Sequence, residues 1–210
     1  MRGKMNEKFY SLPKEKQKKI IDAGFYVFSR NSYQKSPMSE IAAQAGISKS
    51  LLFYYFRNKK ELYLFLWEEG ARFTIDYLTK CGCYTCTDFF ETLEMGMKAK
   101  ARIMRQFPDL TAFVVKAFYE RDPAVLKDIQ ESYQRKLGEK AVTALLRIEP
   151  SDFIPGVDLQ MMYREMYWAS EGYLWETLQR GDLDADRLEK DFMEMIAFWK
   201  QIYGRKEGRL

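Results

Sequence analysis

The chain has 210 residues, 47% of them apolar and 30% charged, enough apolar material for a sizeable core and too much for a disordered chain. It contains no histidine, which excludes Ser-His-Asp and Cys-His catalysis and any histidine-ligated metal site, and it has no GxxxxGK[ST] loop to cradle a nucleotide phosphate. The net charge of +4 divides unevenly, with 13 Lys and Arg against 4 Asp and Glu in residues 1–60, and 21 against 26 in residues 61–210. Neutralising phosphates supplies most non-specific affinity for nucleic acid, so a basic head on an acidic body is the distribution a phosphate-contacting segment gives. A solvated lysine-rich tail gives it too, and residues 14–19 could be such a run. No apolar run approaches the ~20 residues of a membrane helix, and Met1-Arg2-Gly3-Lys4 leads into a charged segment, so a soluble, cytoplasmic protein that engages no membrane is expected.

In chain order, helical spacing dominates and no alternating strand pattern persists. Pro13 suits the first turn of a helix with Ile20, Ile21, Gly24, Val27 and Phe28 on one face. Ser36-Pro37 reads as an N-cap followed by proline at the first helical position. Asn58-Lys59-Lys60-Glu61 reads as a capping box that opens a helix carrying Leu62, Phe65, Leu66 and Phe73, which residues 81–87 break. Phe90, Leu93, Met97, Ala101 and Met104 form the next stripe, ended at Phe107-Pro108. Arg121-Asp122-Pro123 starts a helix through Val125, Ile129, Leu137 and Leu145, broken by residues 149–156. Two further helices, 158–179 and 184–203, flank the turn at Gly181-Asp182. The expectation is an all-α fold of about nine helices.

The informative stretch runs from Met38 to Arg57. Ala42 is small enough for a second helix to pack closely on the first, and Gly46, four residues on, takes positive φ at the turn without a Cβ penalty. Ile41, Ala45, Ile47, Leu52 and Phe56 supply the apolar contacts between the two short helices, and Ser48 caps the second, whose free N–H groups favour a phosphate. This order and spacing is that of a helix-turn-helix. At about 100° per residue, Lys49, Ser50, Phe53 and Tyr54 fall opposite Leu52 and Phe56. An ordinary helical hairpin has no need of such a face.

On these residues (Met38-Ser39-Glu40-Ile41-Ala42, Ala45-Gly46-Ile47-Ser48-Lys49, Leu52-Phe53-Tyr54-Tyr55-Phe56 and Asn58-Lys59-Lys60-Glu61-Leu62) the chain resembles the tetracycline-repressor (TetR) family over its first sixty-odd residues. The resemblance implies a helix-turn-helix DNA-binding domain, residues 1–57, ahead of a ligand-binding and dimerisation domain, residues 58–210. It implies that Ser36 and Ser48 contact phosphates, that Lys49 and Ser50 lie in the major groove, and that Phe53 and Tyr54 meet sugar-phosphate and base edges. Tyr55 and Lys59 would reach the flanking backbone. Ser50, Leu51, Phe53 and Tyr55 stand where the family usually has glycine, threonine, tyrosine and histidine, which changes the expected operator.

In the body, Leu159, Met162, Tyr163, Met166, Tyr173 and Leu174 form one apolar face of a helix. Met161, Trp168 and Trp175, seven residues apart, form a second and narrower stripe that needs another partner. Gly172 flanks it. Leu188, Phe192, Met195, Trp199 and Ile202 follow a seam-like spacing on the last helix. The expectation is a homodimer built on these two helices, with burial within one large subunit the alternative. Phe65, Met97, Met104, Phe118, Tyr163 and Met166 are candidates for an effector pocket, where Glu94 or Glu165 would complement a cation. Cys81, Cys83 and Cys86 could bind a soft metal or act as a redox switch, though a tetrahedral zinc would lack a fourth ligand.

The function expected is a transcription regulator, not an enzyme and without a cofactor: a repressor released from a near-palindromic double-stranded operator by a small-molecule effector. A DNA-binding interaction protein without an effector, or a thiol-based metal or redox sensor, are the alternatives.

Overall fold

The computed structural model describes residues 7–138 and 149–205. Among them are ten α-helices, and the one extended pairing is an isolated antiparallel bridge between Phe153 and Gly204. The all-α expectation holds. The chain divides into two compact units, Met1–Phe73 with Phe107–Arg135, and Thr74–Gln106 with Lys136–Leu210.

The first unit opens with α1 (Glu7–Tyr10), a single turn too short to persist alone. Its anchor is Phe9, fully buried, with ring centroids 5.2 Å from Phe56 and 5.1 Å from Phe65. The link to α2 (Lys14–Arg30) is tied by Gln17, whose Nε2 donates to the carbonyls of Leu12 at 2.7 Å and Tyr10 at 3.1 Å. Pro13 takes the N-cap position of α2 and not its first turn. Ile20, Gly24, Val27 and Phe28 are buried as the spacing requires, and Ala23 and Phe25 join them because the helix is covered on more than one side. A Cβ at Gly24 would stand 2.5 Å from Leu66 Cδ1, so the residue is glycine for close approach to the next long helix.

Helices α3 (Met38–Gln44) and α4 (Lys49–Tyr55) form the helix-turn-helix. Gly46 at φ +69° closes α3 in a Schellman motif, its N–H donating to Ala43 O and the Ile47 N–H to Ala42 O, both at 3.0 Å. A Cβ there would meet nothing within 4 Å, so the demand for glycine comes from the backbone alone.

The long helix α5 (Lys59–Lys80) starts with the expected box, with one change. The Glu61 N–H donates to Asn58 Oδ1 at 2.8 Å, but the return bond to Glu61 Oε2 comes from Arg57 N–H at 3.0 Å and not from Asn58. Residues 59–73 of α5, together with α7 (Pro108–Phe118) and α8 (Leu126–Tyr133), share one core with the head: Phe113, Ala117, Val125 and Ile129 pack among its aromatics. The division expected between Arg57 and Asn58 falls inside this unit. The Trp67 indole N–H donates to Ser132 Oγ at 3.0 Å, and Ser132 in turn to Glu68, a buried polar link between α5 and α8. α8 begins four residues after Asp122, whose side chain caps the turn by accepting the Ala124 N–H at 2.8 Å, and passes into a π-turn at Gln134–Gly138. The expected continuation to Leu145 lies outside the described residues.

The second unit holds residues 74–80 of α5, α6 (Phe89–Gln106), α9 (Leu159–Arg180) and α10 (Ala185–Tyr203). Asp158 and Asp184 cap the last two helices, accepting the N–H of Met161 at 3.0 Å and of Arg187 at 2.8 Å. The core is Phe89, Phe90, Phe153, Met162, Met166, Ile196 and Trp199. Arg105 of α6 pairs with Asp186 at 2.6 Å and Glu189 at 2.5 Å on α10. The segment before α9 is stitched to the end of α10 by Ile154 N–H to Tyr203 O at 2.9 Å.

Candidate nucleic-acid interface and the body

Leu52 and Phe56 are fully buried and hold α4 against the head, Phe56 through the aromatic cluster around Phe9. The opposite face is open: Lys49, Ser50, Leu51, Phe53 and Tyr54 are all exposed, Tyr54 at 57%. Ser48 is the N-cap, its Oγ accepting the Leu51 N–H at 3.1 Å. The Lys49 ammonium lies 5.9 Å from the Phe53 ring centroid, and Lys8, reaching in from α1, lies 3.9 Å from that of Tyr54. The face offers two cations, a hydroxyl and two aromatic rings on a helix whose other side is locked.

Three of the residues expected at this face are placed differently. Ser36 is fully buried and its hydroxyl donates to Ser32 O at 2.9 Å; Pro37, not Ser36, takes the N-cap position of α3. A hydroxyl spent inside the fold has no open path to a phosphate, so the assignment of Ser36 is corrected. Lys59 is half-buried, with its ammonium donating to Gln34 O at 3.0 Å and lying 4.6 Å from the Tyr33 ring centroid. Tyr55 is half-buried against Phe9, at 6.4 Å between ring centroids. Two exposed residues lay outside the expected set. Leu51 follows the capped turn, and Lys8 lies ahead of the motif, where no spacing within 38–57 could reveal it.

The six pocket candidates fall in different units. Phe65 is a core residue of the head, its ring in edge contact with Phe9 and tilted against Phe56 at 5.1 Å, so it is a packing residue of the first unit and its assignment to an effector pocket in the body is corrected. Phe118 belongs to the first unit, 4.8 Å from Tyr133 between centroids. Met97, Met104, Tyr163 and Met166 belong to the second. There Met166 is core, while Met97 and Tyr163 are partly buried against it. Burial holds the Tyr163 phenol above its ordinary pKa. Tyr203 Oη donates to Glu165 at 3.3 Å; Glu94 pairs with Lys98 on its own helix at 3.6 Å.

On α9 the two faces separate as the spacing requires, with Met162 and Met166 buried, and Met161, Trp168 and Trp175 exposed at 50%, 59% and 42%. The α10 seam needs correction. Leu188 and Trp199 are buried within the unit, Met195 is half-buried on its core, and the Phe192 ring packs 5.2 Å from Tyr173. A seam pattern marks a helix that packs on another helix; it does not say whether that partner is in the same chain. The apolar residues α10 leaves exposed are Phe198, at 58%, and Ile202.

Cys81, Cys83 and Cys86 are free thiols, Cys83 buried and the other two half-exposed. Burial, ahead of the neighbouring thiols, pushes the Cys83 pKa up, which keeps it protonated and unreactive. Among the described residues no three Cys, His, Asp or Glu are arranged to hold a metal ion, so the cysteine cluster is not an assembled metal site.

Two short helices joined by a tight turn on a locked aromatic core, within an all-α chain, define a helix-turn-helix fold. Residues 20–65 match the family described as "Bacterial regulatory proteins, tetR family", so the head of the chain is similar to that family. It is 34% identical over 86 residues to the fatty acid metabolism regulator protein of Bacillus subtilis, a match covering 41% of this chain and 37% of that one. It is 35% identical over 60 residues to IcaR, the negative transcriptional regulator of the biofilm operon icaADBC in Staphylococcus aureus, covering 29% and 30%. The chain thus aligns with about a third of the length of these curated relatives. The fold match extends much further: SmeT, the repressor of the Stenotrophomonas maltophilia multidrug efflux pump SmeDEF, superposes with a TM-score of 0.71 over 96% of this chain and 95% of its own, at 16% identity.

Proposed function

We propose that this protein is a DNA-binding transcription repressor, not an enzyme, that residues 1–57 read a near-palindromic double-stranded operator as a homodimer, and that residues 58–210 dimerise and bind a small-molecule effector that releases the DNA. The observation that carries the reading is the exposed face of α4, where Lys49, Ser50, Phe53 and Tyr54 stand in water opposite fully buried Leu52 and Phe56. Helices in this setting enter the major groove, where a lysine and a hydroxyl reach base edges or phosphate and rings pack on sugars and thymine methyls. Ser48 and Tyr55 flank that contact. Phe53 brings no hydroxyl, which shifts its part from phosphate to apolar contact.

Exposed Met161, Trp168 and Trp175 on α9, and Phe198 and Ile202 on α10, are the surface for the second subunit. Met97, Met104, Tyr163 and Met166 supply the adaptable apolar wall of the effector site. Relatives that regulate fatty acid metabolism make acyl chains the first effectors to screen, by thermal protection.

Selection from a random duplex pool should yield a two-fold related sequence with half-sites about one helical turn or more apart. At fixed salt, Lys49→Ala and Tyr54→Ala should each weaken binding to it by about tenfold or more, as lost base contacts do, with helix content unchanged. A parent chain that enriches no duplex, or variants that bind like it, ends this reading.

A further inference from the structure

We propose that Lys8 is a DNA-backbone contact, so that the reading surface begins at α1, upstream of the helix-turn-helix and of the residues that match the family. The proposal rests on α4 being the reading helix. The Lys8 ammonium sits 3.9 Å from the centroid of the Tyr54 ring, itself the most exposed aromatic of that helix. Its placement is enforced from below. Phe9, the next residue, is fully buried between Phe56 and Phe65 and also meets Tyr55, so α1 is fastened to the far end of α4 and moves with it.

Position over a ring of α4, together with an unpaired charge, marks this lysine out. Lys18 is paired with Asp22, Lys60 with Asp128 at 2.7 Å, and Lys59 is spent on Gln34 O. Among the described residues Lys8 and Lys49 make no ion pair, and each lies over a ring on the exposed face of α4. An exposed cation–π contact is weak because the ammonium remains hydrated. It positions the charge without neutralising it. Two unneutralised ammonium groups over consecutive exposed aromatics suit a polyanion whose charges recur along a groove edge. Lys49 comes from the reading helix itself, whereas Lys8 is supplied from outside it, where a flanking phosphate would lie.

The test uses the full chain, the selected duplex and an unrelated duplex of equal length, with affinity measured across a salt series. Each phosphate contact contributes about 0.9 to the slope of log affinity against log salt. Lys8→Gln should lower that slope by about this amount and weaken both duplexes by the same factor, since a backbone contact carries no sequence information. Lys8→Arg should restore the parent slope, and Lys190→Gln, an exposed side chain of α10 in the second unit, should leave it unchanged. Equal melting temperatures for Lys8→Gln and the parent exclude a folding effect. A slope identical to the parent's overturns the proposal while leaving α4 as the reading helix; a loss confined to the selected sequence overturns the backbone assignment. A parent with no salt-dependent binding to either duplex defeats the reading on which the proposal rests.

Discussion

Gly46 shows how little space one residue needs in order to be indispensable. A Cβ there would meet nothing within 4 Å, so crowding is not what requires glycine. The obstacle is φ +69°, which a β-branched residue adopts only at a cost of about 1–3 kcal/mol. Gly46→Val should therefore lower the unfolding free energy of the first unit by about that much, read by chemical denaturation, and should reduce DNA binding by disturbing the turn. Melting and binding like the parent would mean that the turn yields more easily than its Schellman closure suggests. This residue was legible in the sequence because glycine four residues after a small alanine, before a capping serine, has a backbone meaning. Ser36 was misread for a related reason. A serine before proline usually caps a helix, but here the 32–36 hydrogen bond turns the hydroxyl inward before the helix begins.

Among the elements, α7 and the turn behind it repay attention because they belong to the same unit as the head. Glu120 accepts the N–H groups of Arg121 and Asp122 at 2.9 and 3.0 Å through one oxygen, and that of Tyr33 at 2.9 Å through the other. One carboxylate thus closes the α7–α8 turn and holds the loop ahead of α3. The Arg30–Asp109 pair at 2.7 Å repeats the link on the solvent side, where it is worth little. A hydrogen bond to a charged acceptor contributes about 1.5–3 kcal/mol when it is lost unreplaced; Glu120 is partly exposed, so water replaces most of what its three bonds supply and the net loss is about that of one such bond. Glu120→Ala should destabilise the first unit by about 1.5 kcal/mol in denaturant and loosen hydrogen exchange at Tyr33. Protection at Tyr33 equal to the parent's would show that the loop is held by other contacts. None of this could be read from spacing, since Tyr33 and Glu120 lie far apart in the chain and neither stands in a periodic pattern. The all-α class and many helix starts were legible, because Asp158, Asp184 and Asn58 are capping residues in front of periodic apolar runs.

For the whole molecule, the outward stripe of α9 was legible while the partner of α10 was not. Two apolar faces on one helix call for two neighbours whatever the fold, so Met161, Trp168 and Trp175 could be set apart from Met162 and Met166. A single seam, as on α10, is satisfied by either an internal or an external partner, and the internal one took Leu188 and Trp199. Burying a large aromatic side chain is worth about 1.5–3 kcal/mol, so two half-exposed tryptophans per chain favour a two-fold pairing that covers both copies at once. Trp168→Glu combined with Trp175→Glu should give a folded monomer at micromolar concentration in sedimentation, with much weaker binding to a full operator. A monomeric parent, or a double variant that remains a dimer, would assign the stripe to something else.

The chain carries four tryptophans, and only Trp67 lies in the first unit. Its indole is buried and its N–H is committed to Ser132, whose hydroxyl in turn donates a hydrogen bond to Glu68. An indole so enclosed emits to the blue of one in water, and its emission depends on the polar chain beside it. The molecule therefore carries a native optical probe at the junction of α5 and α8. With the three tryptophans of the body replaced by phenylalanine, the light it emits would come from the head unit alone.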